Sequence, residues 1–461
     1  MADQTYPSMS LAEPHPPFVG PIQKIAIAIG LVGLSMLILA WANQLSAGVG
    51  ISLALIVIGV SLFAWNKYSD QPAGIKNNGV WFSSLTSRGF WAWSIGILIT
   101  FFYICLYWYP QLVGLGTEGE ENSGLVAFFD PLSMAIKGQP ASQWFVYGVL
   151  YTLAILIFGI KFILKYRHNR YQILRTISVM FFQLCFAFAI PELLERLNQP
   201  AMDLKNMWPL NYYFFFDWNL DKLVHGGNLG MFMLFWGIAM IILISPVLTY
   251  FYGKRWYCSW VCGCGGLAET AGDPFRQLSD KSLRAWKIER WLVHGVLVFV
   301  VIMTAMVIYT YLTGVSQILF LNSYSVREWY GFLIGAAFSG VIGVGFYPLM
   351  GSRVWCRFGC PMAAILGIQQ RFFSRFRITT NGGQCISCGN CSTYCEMGID
   401  VRYYAQRGQN IVRASCVGCG ICAAVCPRGV LRLENGAIDI HERTTKVRNV
   451  HVPLSEVKIL K

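Results

Sequence analysis

The reading turns on Cys385-Ile386-Ser387-Cys388-Gly389-Asn390-Cys391-Ser392-Thr393-Tyr394-Cys395 and on Cys416-Val417-Gly418-Cys419-Gly420-Ile421-Cys422-Ala423-Ala424-Val425-Cys426, followed by Pro427. Both runs are C-x2-C-x2-C-x3-C, the spacing that holds two iron–sulfur cubanes. A cubane needs four thiolates converging on its corners; three close cysteines wrap one side and the fourth comes from the other run. On that crossed scheme Cys385, Cys388, Cys391 and Cys426 hold one [4Fe–4S] cluster, and Cys416, Cys419, Cys422 and Cys395 hold the other. Paired zinc knuckles also use C-x2-C, but zinc takes four ligands per site and gains nothing from a third cysteine at x2 and a fourth at x3. A disulfide framework fits poorly, because this block falls on the reducing side of the membrane topology argued below. Glu396 follows Cys395 where many such runs have proline, so the local turn is expected to differ while Cys395 keeps its place.

The rest of the chain has another character. Of 461 residues, 55% are hydrophobic and only 13% charged, and mean hydropathy is +0.49. That is too apolar for a soluble protein of this size. Sixteen Trp and twenty-two Tyr suit the belts that side chains form at membrane interfaces. The net charge of +13 is scattered between apolar stretches, so it reads as membrane topology and not as a nucleic-acid footprint. Thirteen of the fifteen cysteines lie in the two runs or in two short motifs before them; Cys105 and Cys185 sit inside apolar runs, as small buried hydrophobes do.

Residues 1–20 carry no basic n-region and read as a short cytoplasmic tail rather than a cleaved signal peptide. Spans of roughly twenty apolar residues are predicted near 22–42, 48–66, 90–110, 144–165, 172–191, 228–251, 291–313 and 330–350, eight in all. Bases follow the even-numbered spans: Lys67, Lys76 and Arg88; Lys161 to Arg175; Lys254 to Arg290; Arg353 to Arg377. The alternate loops are neutral or acidic, as with Glu118, Glu120, Glu121 and Asp130 against Lys137. The positive-inside rule therefore puts both termini and the C-terminal cysteines in the cytoplasm of a bacterial inner membrane. The aromatic loop 192–225 is expected to lie as an amphipathic segment at the outer surface, with a quinone or partner contact as the other reading.

Two further motifs sit where spans meet the cytoplasm: Cys258-Ser259-Trp260-Val261-Cys262 and Cys356-Arg357-Phe358-Gly359-Cys360, each C-x3-C. On a helix, i and i+4 share a face. Antiparallel packing through the seventh span would bring four thiols to one depth, with Cys264 as a spare ligand. This is the ligand count of a third cluster or another soft-metal site, against a metal-free thiol pair. Haem is not expected, since His225 and His294 lie at opposite membrane faces. There is no Rossmann or P-loop fingerprint.

This combination, two C-x3-C motifs at cytoplasmic helix ends followed by a two-cluster ferredoxin, resembles the NapH/NosR/YccM-type membrane polyferredoxins over residues 228–436. The resemblance implies an inner-membrane electron-transfer subunit of oxidoreductase type, linked to quinol oxidation or to extracytoplasmic reductases. It carries over Cys258, Cys262, Cys356 and Cys360 as the membrane motif and the eight ferredoxin cysteines as cluster ligands. Pro361 follows the second membrane cysteine as in the family; Gly263 stands in the equivalent place, and Cys264 is extra. One branch of the family serves maturation of respiratory metalloenzymes, which gives the alternative of a metal-reducing or maturation factor. The expected fold is mostly α: a polytopic bundle of about eight spans with a C-terminal cytoplasmic α+β ferredoxin domain. Its units are 1–20 tail, 21–191 five spans, 192–227 aromatic loop, 228–378 three spans with both C-x3-C motifs, 379–436 ferredoxin domain and 437–461 tail. Expected partners are membrane lipid, redox partner subunits or a soluble electron carrier, and quinone, with no nucleic acid.

Overall fold

The computed structural model describes residues 19–69, 88–117 and 120–436. Most of the expected N-terminal tail, Lys76, Glu118 and the C-terminal tail lie outside the described residues. Seven helices are long and apolar enough to cross a membrane: α1 Pro21–Trp41, α2 Val49–Tyr68, α3 Phe90–Trp108, α4 Gln143–Lys165, α5 Arg170–Arg196, α6 Gly227–Tyr252 and α7 Leu283–Thr313. Large apolar side chains face outward along them, among them Leu98, Phe235 and Ile242. A surface of that kind is stable only against hydrocarbon, where helices satisfy their own backbone groups. Without a hydrophobic force between helices, close contact has to supply the attraction. Between α1 and α2 it does: a Cβ on Gly59 would lie 2.6 Å from the Gly30 backbone nitrogen, and Ser52 Oγ donates to Gly33 O at 2.8 Å.

The stretch expected as an eighth span, 330–350, is not one continuous rod. A helical run from Ser323 passes Tyr330 and widens into π-type turns through Ile342, and a separate short helix follows at Tyr347–Met350. Gly331, Gly335, Gly340, Gly343 and Gly345 weaken the run, and Pro348 restarts it. The connection 111–143 holds a structured helix, Gly124–Lys137, whose Val126, Phe128 and Phe129 are fully buried against Cys105, Leu106 and Phe145.

The aromatic loop corrects the sequence reading. It does not lie flat at the surface; residues 200–216 turn down into the bundle from the end opposite the ferredoxin domain. Trp236 Nε1 donates to Leu204 O at 2.8 Å, and Trp208 Nε1 to Thr304 Oγ1 at 2.9 Å. Thr304 is nine residues inside the far end of α7, so the loop descends roughly 14 Å at 1.5 Å per residue. The physical reason is the fit of its side chains. Phe214 fills the space left by the absent side chain of Gly237, where a Cβ would come 2.3 Å from the ring, and Met207 and Asn211 are buried.

At the other end of the bundle the residues expected as the ferredoxin domain form a small antiparallel ladder, Arg377–Thr380 with Leu431–Glu434, around short helices Asn390–Thr393, Val401–Gln406 and Ile421–Ala424.

Candidate functional site

The two C-terminal runs fold alike. In each, the residues flanking the second cysteine take positive φ: Ser387 at 56° and Gly389 at 79°, Gly418 at 63° and Gly420 at 76°. This left-handed coiling turns three sulfurs toward one centre. One cavity is lined by Cys385, Cys388, Cys391 and Cys426, with Pro427 behind them. The charges that act on Cys391 come from Cys388, Cys426 and Cys385, and those nearest Cys422 from Cys419, Cys416 and Cys395. The first of the two expected sets thus lines one cavity, and Cys422 feels Cys391 of the other run as well as Cys419, Cys416 and Cys395. Burial pushes Cys391 and Cys395 up to about 11 and Cys419 up to about 12, so in the protein alone these thiols stay protonated and a metal must displace their protons. Among the described residues, the group whose metal-ligating atoms lie within 4.8 Å of one another is Glu269, Glu396 and Cys419. No cysteine trio is that compact. Thiolates around a single zinc, with Zn–S bonds near 2.3 Å, would be.

The membrane cysteines are arranged differently from the expectation of one helix face. Helix Arg255–Cys258 ends in a turn, and Cys262 is extended (φ −68°, ψ 126°) as the N-cap of Gly263–Thr270. The second motif repeats this: Cys356 lies in the π-type turn Trp355–Gly359, and Cys360 (φ −81°, ψ 112°) caps Pro361–Phe372. Equivalent hydrogen bonds close both turns, Cys262 N to Tyr257 O at 2.8 Å and Cys360 N to Trp355 O at 2.9 Å. A continuous helix fails because the second cysteine must leave the helical path to begin a new helix. Pro361 suits that first helical position, since its missing N–H is not needed there; Gly263 does the same job without a ring. Cys258, Cys262, Cys356 and Cys360 are all buried and share one core cluster, with Cys264 packed beside it half-exposed. Burial pushes Cys258 up to about 12, whereas Cys262 is held at about 6, first by a hydrogen bond with Cys264 and then by backbone N–H groups of the new helix. Three cations face this set: Lys254 and Arg353 beside Cys258, and Lys205 of the descending loop beside Cys262. Two of these cations are also ion-paired, Lys205 with Asp203 and Arg353 with Glu269 and Glu396.

A buried ionic network joins this site to the second run. Arg353 donates to Cys258 O at 3.1 Å, approaches Cys356 Sγ at 3.6 Å and lies 3.0 Å from Glu396 Oε1. Glu396 also pairs with Arg276 at 2.7 Å; Arg276 pairs with Asp273 at 2.9 Å, and Asp273 with Lys165 at 2.7 Å. Glu269 pairs with both Arg175 and Arg353. The three carboxylates are therefore engaged by guanidinium and ammonium groups, and Glu269–Glu396–Cys419 is a node of ion pairing rather than a ligand set. Around it, the membrane domain grips every carbonyl of the Cys416–Cys419 loop. Gln370 donates to Cys416 O at 2.8 Å, Ser259 to Val417 O at 2.8 Å, Tyr171 to Gly418 O at 2.8 Å and Gln172 to Cys419 O at 2.9 Å. Cys388 of the first run is exposed.

The network has a pH signature. Burial alone would raise Asp273, but Lys165, Arg276 and Lys161 overcome it and hold the carboxyl well below the usual range; Glu396 is held low against burial by Arg276, Arg353 and Arg175. A depressed folded value contributes stability above the unfolded value, near 4, and that contribution is lost as pH falls through the folded value. The urea midpoint should therefore fall as pH drops below about 4. A midpoint that rises on acidification through that window would contradict the network.

Arg353, Arg276 and Lys205 were read from the sequence only as loop charges for topology, and Glu269 and Asp273 were not assigned a role at the site. The available signal was ionisable residues lying within a few positions of cysteine motifs or apolar spans, which are costly there unless paired.

Comparison with known proteins agrees with this geometry. The 4Fe-4S dicluster domain family matches residues 384–431, and the 4Fe-4S binding domain family matches twice, at 232–282 and 332–379, one match over each C-x3-C motif. YccM of Escherichia coli (strain K12), described as an electron transport protein, is 28% identical over 166 residues, 34% of this chain and 45% of its own length. The methylamine utilization ferredoxin-type protein MauN of Paracoccus denitrificans (strain Pd 1222) is 29% identical over 174 residues, 35% of this chain and 56% of its own. The chain thus spans about half the length of these relatives. No solved structure matches it. The matches place 4Fe–4S binding regions over both C-x3-C motifs and over the C-terminal cysteine runs.

Proposed function

We propose that this polyferredoxin-type chain is an integral membrane protein of a bacterial inner membrane that moves single electrons between a cytoplasmic ferredoxin head and a site in the membrane domain, and onward to a quinone or a partner redox subunit. Cys385, Cys388, Cys391 and Cys426 would hold one [4Fe–4S] cluster and Cys416, Cys419, Cys422 and Cys395 the other; Cys258, Cys262, Cys356 and Cys360, with Cys264 alongside, would hold a third metal centre. Each cluster supplies a reversible one-electron couple. The observation that carries this reading is the docking of the second run. Four side chains of the membrane domain hold the four successive carbonyls of Cys416–Cys419, while Cys388 of the first run faces solvent. The exposed first run is where a soluble partner would exchange electrons. Arg353, in contact with Cys356 and Glu396 at once, fixes the distance and the charge between the second run and the membrane motif. The bases that follow the even-numbered spans support a cytoplasmic head.

The test is iron and acid-labile sulfide per chain on anaerobically purified protein, with EPR of the reduced sample. About twelve irons is the expected result, from three cubanes; about eight would empty the membrane motif of a cluster and turn the reading toward metal handling for maturation of another enzyme.

A further inference from the structure

We infer that the cavity between the start of α7, helix Pro361–Phe372 and the ferredoxin head binds the phosphate of an anionic phospholipid headgroup. The cavity has a volume of about 230 Å³ and reaches Cys356 at its inner end. Five cations line it, Lys254, Arg290, Arg357, Arg371 and Arg413, against one carboxylate, Glu289. That carboxylate is already used, since Glu289 Oε2 accepts from Arg357 Nε at 2.8 Å. Lys254 faces Cys258; Arg290, Arg371 and Arg413 have no carboxylate at ion-pair distance among the described residues. Arg357 is 3% exposed, and its Nη2 has no hydrogen-bond partner among the described residues, although its Nε and Nη1 are both satisfied. A buried guanidinium donor left open in a cavity of unpaired cations calls for an anion.

The surroundings identify which anion. Trp286 is flanked by Arg290 at 5.0 Å and Arg413 at 4.7 Å, so a residue of the membrane helix and one of the head hold two of the cations at the seam. Beside the cavity, exposed Trp291, Leu292, Phe372 and Phe373 present apolar surface at the bundle end where the basic loops gather. Aromatic side chains there sit at headgroup level, and basic pockets between membrane helices on that side recognise anionic lipid headgroups. Acyl chains have apolar surface to lie on next to the phosphate site. A neutral quinone would leave this excess charge unanswered. The lipid would brace the seam between Arg413 of the head and Arg290 and Arg371 of the membrane domain. This site goes beyond the electron-transfer reading, and its test reads lipid, not redox activity.

Fluorescently labelled phosphatidylglycerol is titrated into the full-length, cluster-loaded protein in mild detergent. Arg371→Gln/Arg413→Gln should weaken binding roughly 25-fold, at roughly fivefold per cation removed near a membrane surface. Arg371→Lys/Arg413→Lys, which keeps the charge, should retain most of the affinity with unchanged iron content. Arg284→Gln/Lys287→Gln removes the same charge from exposed positions on α7, outside the cavity, and should leave affinity unchanged. An equal loss in that control would assign binding to diffuse surface charge and overturn the site. Equal competition by phosphatidylcholine would remove the anionic requirement and also overturn it. If inorganic phosphate competes as well as unlabelled phosphatidylglycerol, the occupant is a free anion and the lipid proposal fails.

Discussion

Glu396→Ala lowers the stability of the folded chain by about 3–5 kcal/mol and frees the ferredoxin head, the cost of leaving buried charges without their partner. Glu396 is buried between Arg276, 2.7 Å away, and Arg353, 3.0 Å away, both themselves buried. Without the carboxylate, two guanidinium groups face each other across a dry seam, and Arg353 loses one of the contacts that hold it against the membrane cysteines. Ser279 Oγ donates to the Glu396 carbonyl at 2.7 Å; that bond survives the substitution, so the loss belongs to the charge. Urea unfolding gives the magnitude, and limited proteolysis around 373–384 gives the release of the head. An unchanged midpoint and cleavage pattern would show that the network is ornamental.

Cys360→Ser is the cleaner probe of the membrane site. Cys360 is the N-cap of Pro361–Phe372, and its Sγ accepts from Ala363 N at 3.4 Å. Serine is among the preferred N-cap residues, so the helix keeps its start while the thiolate is lost. Iron per chain should fall by about four, the content of one cubane, with the EPR of the two ferredoxin centres unchanged and electron exchange with quinone analogues abolished. Full iron and unchanged exchange in this variant would remove the membrane cysteines from the electron path.

Much of this molecule was legible in the sequence. The cysteine spacing made three sulfurs of each run neighbours, because short loops are a local property, and Cys385, Cys388 and Cys391 line one cavity with Cys426 of the other run. The apolar runs likewise gave seven helices, five within two residues of the expected limits, while α5 ends five residues later and α7 starts eight residues earlier, and 330–350 is broken into separate pieces. What failed was non-local. The i, i+4 argument assumed one continuous helix through each C-x3-C motif, but Cys262 and Cys360 each leave the helix to cap the next. The aromatic loop looked amphipathic because its residues were weighed by composition; its path into the bundle depends on Gly237, Thr304 and Trp236, which belong to other helices. Glu396 was noticed only as a missing proline, and its partners Arg276 and Arg353 are 120 and 43 residues away in the chain.

The two C-x3-C turns are near copies, and each supplies half of one site. Cys258 and Cys356 are separated by ninety-eight positions, across which the chain leaves along α7 and returns through the helical run from Ser323. During synthesis the first half is inserted well before the second leaves the ribosome, and by itself it offers too few thiolates to complete a cubane. A metal centre held by both turns, as proposed, would therefore be loaded only after α7 and the second turn are in place. A chain truncated before Cys356 would keep α1–α7 and yet carry only one half of the donor set.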